Sequence, residues 1–123
     1  MNRYKILIVD DDEELAYPLS ERLNFRGFDV EVATNWADSL KLFEYHSFNL
    51  ALLDIKLPGM NGLDLMKMMK NIQKDLKIIL MSGHGTEEDA KECISKGACV
   101  LMIKPIKIDV LIKKINEILQ VNN

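Results

Sequence analysis

Leu50-Ala51-Leu52-Leu53-Asp54 is an unbroken apolar run closed by a carboxylate. Without polar alternation, such a run fits a strand buried on both faces of a parallel sheet. Three other segments share its form. Ile6-Leu7-Ile8-Val9 ends in Asp10, Asp11 and Asp12; Ile78-Ile79-Leu80-Met81 ends in Ser82; Val100-Leu101-Met102-Ile103 ends in Lys104-Pro105. Parallel strands open their carboxyl ends on one edge, where open α/β sheets bind ligands. Acids, a hydroxyl and an ammonium would meet there.

Working outward from that run, strand-like and helix-like segments alternate along the chain, which predicts βα units around a parallel sheet. Strands are expected near 5–9, 28–33, 48–54, 77–82 and 99–103, and helices near 13–26, 36–46, 62–73, 86–96 and 107–120. Leu15, Leu19 and Leu23 fall at helical spacing in the first helix, and Gly27 stands where a C-terminal cap belongs. Leu111, Ile115, Ile118 and Leu119 repeat the pattern in the last. Pro18 lies inside the first helix, where it removes a donor and crowds the carbonyl of Glu14, so a local kink is expected.

The chain of 123 residues is the size of one domain, with no repeat or low-complexity linker, and 1–123 is read as a single domain. Apolar residues make up 48% and charged residues 28%, which argues against disordered and fibrous classes. With 16 basic and 19 acidic residues the net charge is −3, giving no electrostatic reason to expect nucleic-acid binding. The longest apolar stretch, Ala98 to Ile103, is far short of the ~20 residues of a membrane span. Met1-Asn2-Arg3-Tyr4-Lys5 leads directly into the first strand without a signal-peptide pattern, and a cytoplasmic location is the expectation. Cys93 and Cys99 lack metal-pair spacing and read as reduced, half-buried apolar residues.

Two sheet orders suit such a chain, and they differ in chemistry. In the order 3-2-1-4-5, the third strand lies two positions from the first, which would hold Asp54 ~10 Å from the first-strand acids. In the order 2-1-3-4-5 the two are neighbours, and Asp10, Asp11 and Asp54 could share one divalent cation, with Ser82 one strand further and Lys104 reaching back. Convergence is conditional on that second order. Crowded carboxylates repel unless a cation compensates them. An all-oxygen set without histidine or cysteine suits Mg²⁺, or alternatively Mn²⁺, and a sparse Mg²⁺ site points to phosphoryl chemistry. Neither GxxxxGK[ST] nor GxGxxG is present, which speaks against nucleotide binding.

Four fragments in this order and spacing carry a family resemblance: Ile8-Val9-Asp10-Asp11, Leu53-Asp54-Ile55-Lys56-Leu57-Pro58-Gly59-Met60-Asn61-Gly62, Met81-Ser82-Gly83, and Gly97-Ala98 followed by Lys104-Pro105. The chain resembles the receiver domains of two-component response regulators over nearly its whole length. The resemblance implies a flavodoxin-like, doubly wound five-stranded parallel sheet of order 2-1-3-4-5 with five helices. It also implies a phosphoacceptor switch that modifies itself and turns over no separate substrate.

Residue by residue, Asp54 matches the acceptor that takes a phosphoryl group from a phosphohistidine on a sensor histidine kinase or phosphotransfer protein. Asp10 and Asp11 match the pair that holds Mg²⁺ together with Asp54 and the backbone carbonyl of Lys56. Lys104 matches the lysine that pairs with phosphoryl oxygens, and the family's Lys-Pro bond is cis. Ser82 matches the switch hydroxyl. Asp12, directly before Glu13-Glu14, reads better as an N-cap than as a ligand. Lys56 and His84, two residues beyond Asp54 and Ser82, stand where the family tunes phosphoryl lifetime.

The position three before Lys104 departs from the family pattern. Receivers usually carry Tyr or Phe there, and this chain has Leu101, so aromatic switching in its usual form is not open to it. Phosphorylation is expected to shift the face of the fourth helix, fifth strand and fifth helix towards an unknown downstream protein, with dimerisation through that face as one form of output. A receiver portion of a larger transcription activator or hybrid kinase is an alternative, suggested by Ser82-Gly83-His84-Gly85. A flavin or other small-molecule module on the same fold is a further one. Trp36, His46 and the methionines Met60, Met66, Met68, Met69, Met81 and Met102 are expected to serve packing or helix ends.

Overall fold

The computed structural model describes residues 3–121, so Met1 and Asn2 of the leader reading lie outside the described residues. Its elements run β1 (Lys5–Val9), α1 (Glu13–Phe25), β2 (Asp29–Ala33), α2 (Trp36–Leu42), β3 (Leu50–Asp54), β4 (Lys56–Leu57), β5 (Met60–Asn61), α3 (Gly62–Ile72), β6 (Lys77–Ser82), α4 (Glu87–Ser95), β7 (Val100–Ile103) and α5 (Ile108–Leu119). The five long strands pair in parallel in the order β2-β1-β3-β6-β7. This is the 2-1-3-4-5 arrangement, with β6 and β7 as the fourth and fifth expected strands.

Side-chain alternation explains why the helices cover both faces. Ile6, Ile8, Leu50, Leu52, Ile79 and Met81 pack with Leu19 and Leu23 of α1 and Leu111, Ile112 and Ile115 of α5. Leu7, Val9, Ala51, Leu53, Ile78 and Leu80 turn the other way, onto Leu65, Met66 and Met69 of α3, Cys93 of α4 and the partly buried Trp36 and Leu40 of α2. A strand apolar at every position therefore serves two cores.

Local chemistry sets the ends. The Asp12 side chain accepts the Glu14 amide and caps α1, as its position predicted. At the other end Gly27 has φ +98, and the bonds Gly27 N–H to Asn24 O and Phe28 N–H to Leu23 O form a Schellman closure. The helix runs through Pro18 without a break in its assigned span. A short antiparallel pair, β4 with β5, was not expected from the sequence. Pro58 and Gly59 make its turn, with Gly59 at φ +79, the value a type II turn needs at its second central position.

Three expectations need correction. The second helix ends at Leu42 instead of reaching His46, because residues 43–45 tighten into i→i−3 bonds while the Phe43 ring meets Phe48 edge-on at 5.2 Å. His46 accordingly lies beyond the helix, its ring 6.0 Å from that of Phe48. Cys93 is buried but Cys99 is exposed, since it precedes an edge strand, and both are free thiols. Met66, Met69 and Met81 are core residues, whereas Met68, on the outer side of α3, is exposed.

Candidate functional site

β1, β3 and β7 end at one edge, and their terminal charges meet there. Asp10 is fully buried and Asp54 is 7% exposed, although both are carboxylates. Lys104 reconciles them: its Nζ lies 2.8 Å from Asp10 Oδ2 and 3.1 Å from Asp54 Oδ2. The backbone completes the shell. Asp10 Oδ1 accepts the Asp12 amide at 2.9 Å, and Asp54 Oδ1 accepts the Lys56 amide at 3.1 Å. No buried side-chain polar atom among the described residues lacks a partner, as buried polar groups require.

Asp11 is exposed, yet one carboxylate oxygen from each of Asp10, Asp11 and Asp54 falls within 4.8 Å of the others. Three ionised carboxylates and one ammonium leave a net charge of −2. That excess, an all-oxygen donor set and one open side fit a hard divalent cation such as Mg²⁺.

The charges act unequally on their own titration. Burial pushes the Asp54 carboxyl above the ordinary value of 3.8, the bonds from Lys104 and the Lys56 amide pull it back, and neighbouring Asp10 adds to the rise. Burial works against the Lys104 charge, but hydrogen bonds and attraction from Asp10 and Asp54 prevail, and its pKa is raised. The difference follows from the count of partners. Lys104 gains two carboxylates, whereas Asp54 shares one ammonium with Asp10.

Ser82 ends β6 beside this cluster, and its hydroxyl donates to the His84 carbonyl at 2.5 Å. Lys104 leaves β7 through a backbone bond from its amide to Ser82 O at 2.7 Å, and the Lys104-Pro105 peptide is cis. Lys56 and His84 are both exposed at the rim. Gly62 is a residue whose importance sequence reasoning missed. A Cβ built on it would lie 2.4 Å from Asp54 O and 2.6 Å from Ile55 Cα, so the start of α3 sits on the backbone of Asp54 and Ile55. Its amide bonds Ile55 O at 2.8 Å. The sequence signals were its place at the end of the Leu53–Gly62 fragment and a glycine at the first position of a helix, where packing, not propensity, would explain it.

This arrangement of strands agrees with comparison to known proteins. The family model for the response regulator receiver domain matches residues 6–116. The chain belongs to that family. The receiver is 35% identical over 109 residues to the sporulation initiation phosphotransferase F of Bacillus subtilis, covering 89% of this chain and 88% of that protein. It is 30% identical over 116 residues to the transcriptional regulatory protein CusR of Escherichia coli K12, covering 94% of this chain but 51% of that protein. The receiver thus spans about half the length of CusR and of several other curated relatives. Among solved structures, the CheY-like receiver domain protein of Methanospirillum hungatei aligns with a TM-score of 0.89 at 34% identity, covering 97% of this chain and 95% of that one. A response regulator of Burkholderia pseudomallei, solved with a phosphorylated aspartic acid, a calcium ion and citrate, aligns with a TM-score of 0.81 at 28% identity, covering 89% and 64%.

No helix among the described residues is long and apolar enough to cross a membrane. Receivers of this family generally work with histidine kinases or phosphotransfer proteins.

Proposed function

We propose that Asp54 is the phosphoacceptor of this receiver, and that the contact carrying the reading is its carboxylate held between the Lys104 ammonium and the acids of β1. A carboxylate oxygen of Asp54 attacks the phosphorus of a phosphohistidine on a sensor kinase or phosphotransfer protein. The new O–P bond forms as the P–N bond breaks, and the imidazole nitrogen leaves with the electron pair and takes a proton. Lys104 is placed to pair with phosphoryl oxygens, at the cost of its present bond to Asp54.

Asp10, Asp11, Asp54 and the carbonyl of Lys56 would hold Mg²⁺, or Mn²⁺ in its place. When bound, that ion supplies positive charge that neutralises phosphoryl oxygens. The calcium ion and phosphorylated aspartic acid in the Burkholderia relative support this assignment by analogy.

Ser82 is the switch hydroxyl in this reading. It bonds the His84 carbonyl at 2.5 Å, so bonding a phosphoryl oxygen requires it to leave that carbonyl and pull on the 83–85 loop. The loop rests on β7: a Cβ at Gly85 would lie 3.1 Å from Ile103 Cδ1 and 3.4 Å from Leu101 Cδ2. Movement there reaches the face of α4, β7 and α5, which binds a downstream protein or a second copy. The receiver works in the cytoplasm, where the kinase's phosphohistidine is presented, and residues 1–123 form one domain. A second reading, a receiver within a longer regulator, is favoured by the relatives of about twice its length; it changes the output, not the site.

Incubation with Mg²⁺ and acetyl phosphate, followed by intact mass, tests the assignment. A single phosphate adduct is expected in the wild type and none in Asp54→Asn; equal adducts in both would remove Asp54 as the acceptor. Following adduct decay in Lys56→Ala and His84→Ala tests whether the rim charges lengthen its lifetime, and unchanged decay in both would end that idea.

A further inference from the structure

We propose that Trp36 is a positioning residue for the acceptor site: its indole braces the tip of the β4–β5 hairpin at Gly59 and thereby sets the Lys56 peptide beside Asp54. The inference rests on the reading of Asp54 and its cation given above.

The hairpin has two residues on each strand and a two-residue turn, and an isolated pair of strands holds little stability of its own. It nevertheless carries much of the site. The Lys56 amide bonds Asp54 Oδ1 at 3.1 Å, the Lys56 carbonyl is an assigned cation ligand, and the Asn61 side chain caps α3 through the Leu63 amide at 2.8 Å. Leu57 is buried and Met60 partly buried, which anchors the strands from below. The turn itself is exposed. What stands against it is Trp36: a Cβ at Gly59 would lie 3.4 Å from Trp36 Nε1 and 3.9 Å from Cδ1, with no third atom within 4 Å.

Trp36 is itself firmly placed. It is the first residue of α2, whose start is fixed by the Asn35 side chain accepting the Asp38 amide at 2.8 Å, and it packs on the same core as Leu53 and Leu57. Its ring therefore links the segment after β2 to the loop after β3. Between those strands lies β1, which ends in Asp10 and Asp11. Mg²⁺ demands near-ideal octahedral ligand placement, so a loosened hairpin tip degrades cation binding before it unfolds the domain. Supporting groups outside the ligand shell act in this way in metal sites generally.

Trp36 is the sole tryptophan of the chain, so its emission reports on the brace directly. In the wild type, Mg²⁺ titration is expected to shift that emission with the midpoint found by calorimetry. Trp36→Ala should weaken Mg²⁺ binding on the order of tenfold and slow adduct formation from acetyl phosphate, and Trp36→Phe, which keeps an aromatic face, should recover most of both. Leu40→Ala removes packing from the same helix and core without a place at the Gly59 turn, and should leave Mg²⁺ affinity unchanged well below its unfolding temperature. Wild-type affinity in Trp36→Ala, or an equal loss in Leu40→Ala, would overturn the brace while leaving Asp54 as acceptor. If Trp36→Ala does not fold, an emission unmoved by Mg²⁺ in the wild type, or no loss in Trp36→Leu, overturns it instead. A wild type that binds no Mg²⁺ and forms no adduct would defeat the parent reading and the brace together.

Discussion

β3 and β7 deliver opposite charges to one site, but they are built differently. All five residues of β3 are buried, between β1 on one side and β6 on the other. β7 is an edge strand: Val100, Leu101 and Met102 are half-buried and Ile103 is 45% exposed. The Asp54 carboxylate, proposed to face a cation, ends a strand that is paired along both edges. The Lys104 ammonium, proposed to pair with phosphoryl oxygens, is carried by a long side chain just beyond a strand with one free edge. Under the proposed function the same difference separates chemistry from output, since the strand nearest the surface is the one able to change a surface.

Two glycines allow the comparison to be broken at either end. Gly62 backs β3 against main chain, where an added Cβ meets Asp54 O at 2.4 Å and the Ile55 Cα at 2.6 Å. Main chain in a packed core cannot yield cheaply, so Gly62→Ala should cost about 2–3 kcal/mol in urea unfolding and sharply reduce adduct formation. Gly85 backs β7 against side-chain tips, Ile103 Cδ1 at 3.1 Å and Leu101 Cδ2 at 3.4 Å. These can rotate away, and Gly85→Ala should cost less than about 1 kcal/mol with the adduct retained. Equal losses in the two variants would show that both strand ends are held alike.

A smaller effect separates the buried Asp54 carboxylate from its Lys104 partner. Because the folded-state value of Asp54 is raised above 3.8, the folded protein binds that proton more tightly than the unfolded chain. Its contribution to stability is then fully present below 3.8 and is lost as pH rises through the folded-state value. In a chelator, wild-type Tm should fall relative to Asp54→Asn as pH rises from that point, and Mg²⁺ should restore the difference. Parallel Tm curves for the two proteins would mean that Lys104 already satisfies Asp54.

The contrast between the strands also explains what the sequence made legible. Runs such as Leu50–Leu53 carry no polar residue, so strand identity and double-sided burial follow from the residues alone, whereas the residues left two sheet orders open and the motif resemblance implied the one in which Asp10, Asp11 and Asp54 can meet. Lys104 stands 94 residues from Asp10 and 50 from Asp54, a separation bridged by reading each as the end of a parallel strand on one sheet edge. Short-range features were harder. The β4–β5 hairpin is two residues deep, below the length at which alternation can be read, although Pro58-Gly59 marked its turn. The early end of α2 depends on the Phe43–Phe48 ring contact, and the roles of Gly62 and Trp36 depend on close approaches across the fold; none of these leaves a periodic trace.

Leu101 gives the finest test, because it lies on β7 but faces the core shared with β3. It pairs in register with Leu80 and packs partly buried on the α3 and α4 side, with its Cδ2 under the Gly85 backbone. Its side chain offers no polar group for the phosphoryl transfer proposed at Asp54. Leu101→Ala should therefore leave the rate and extent of adduct formation within about twofold of wild type, while costing about 1 kcal/mol or somewhat more for a half-buried leucine. Its effect should appear in transmission: hydrogen exchange of the 83–85 and α4 amides, compared with and without Mg²⁺ and acetyl phosphate, should respond less to phosphorylation than in the wild type. Since Leu101 cannot swing inward as a ring would, the loop presses on β7 through the bulk of Leu101 and Ile103, and removing that bulk weakens the coupling. An unaltered exchange response in Leu101→Ala would place transmission elsewhere on β7, and Ile103, the closer contact of Gly85, would be next to test.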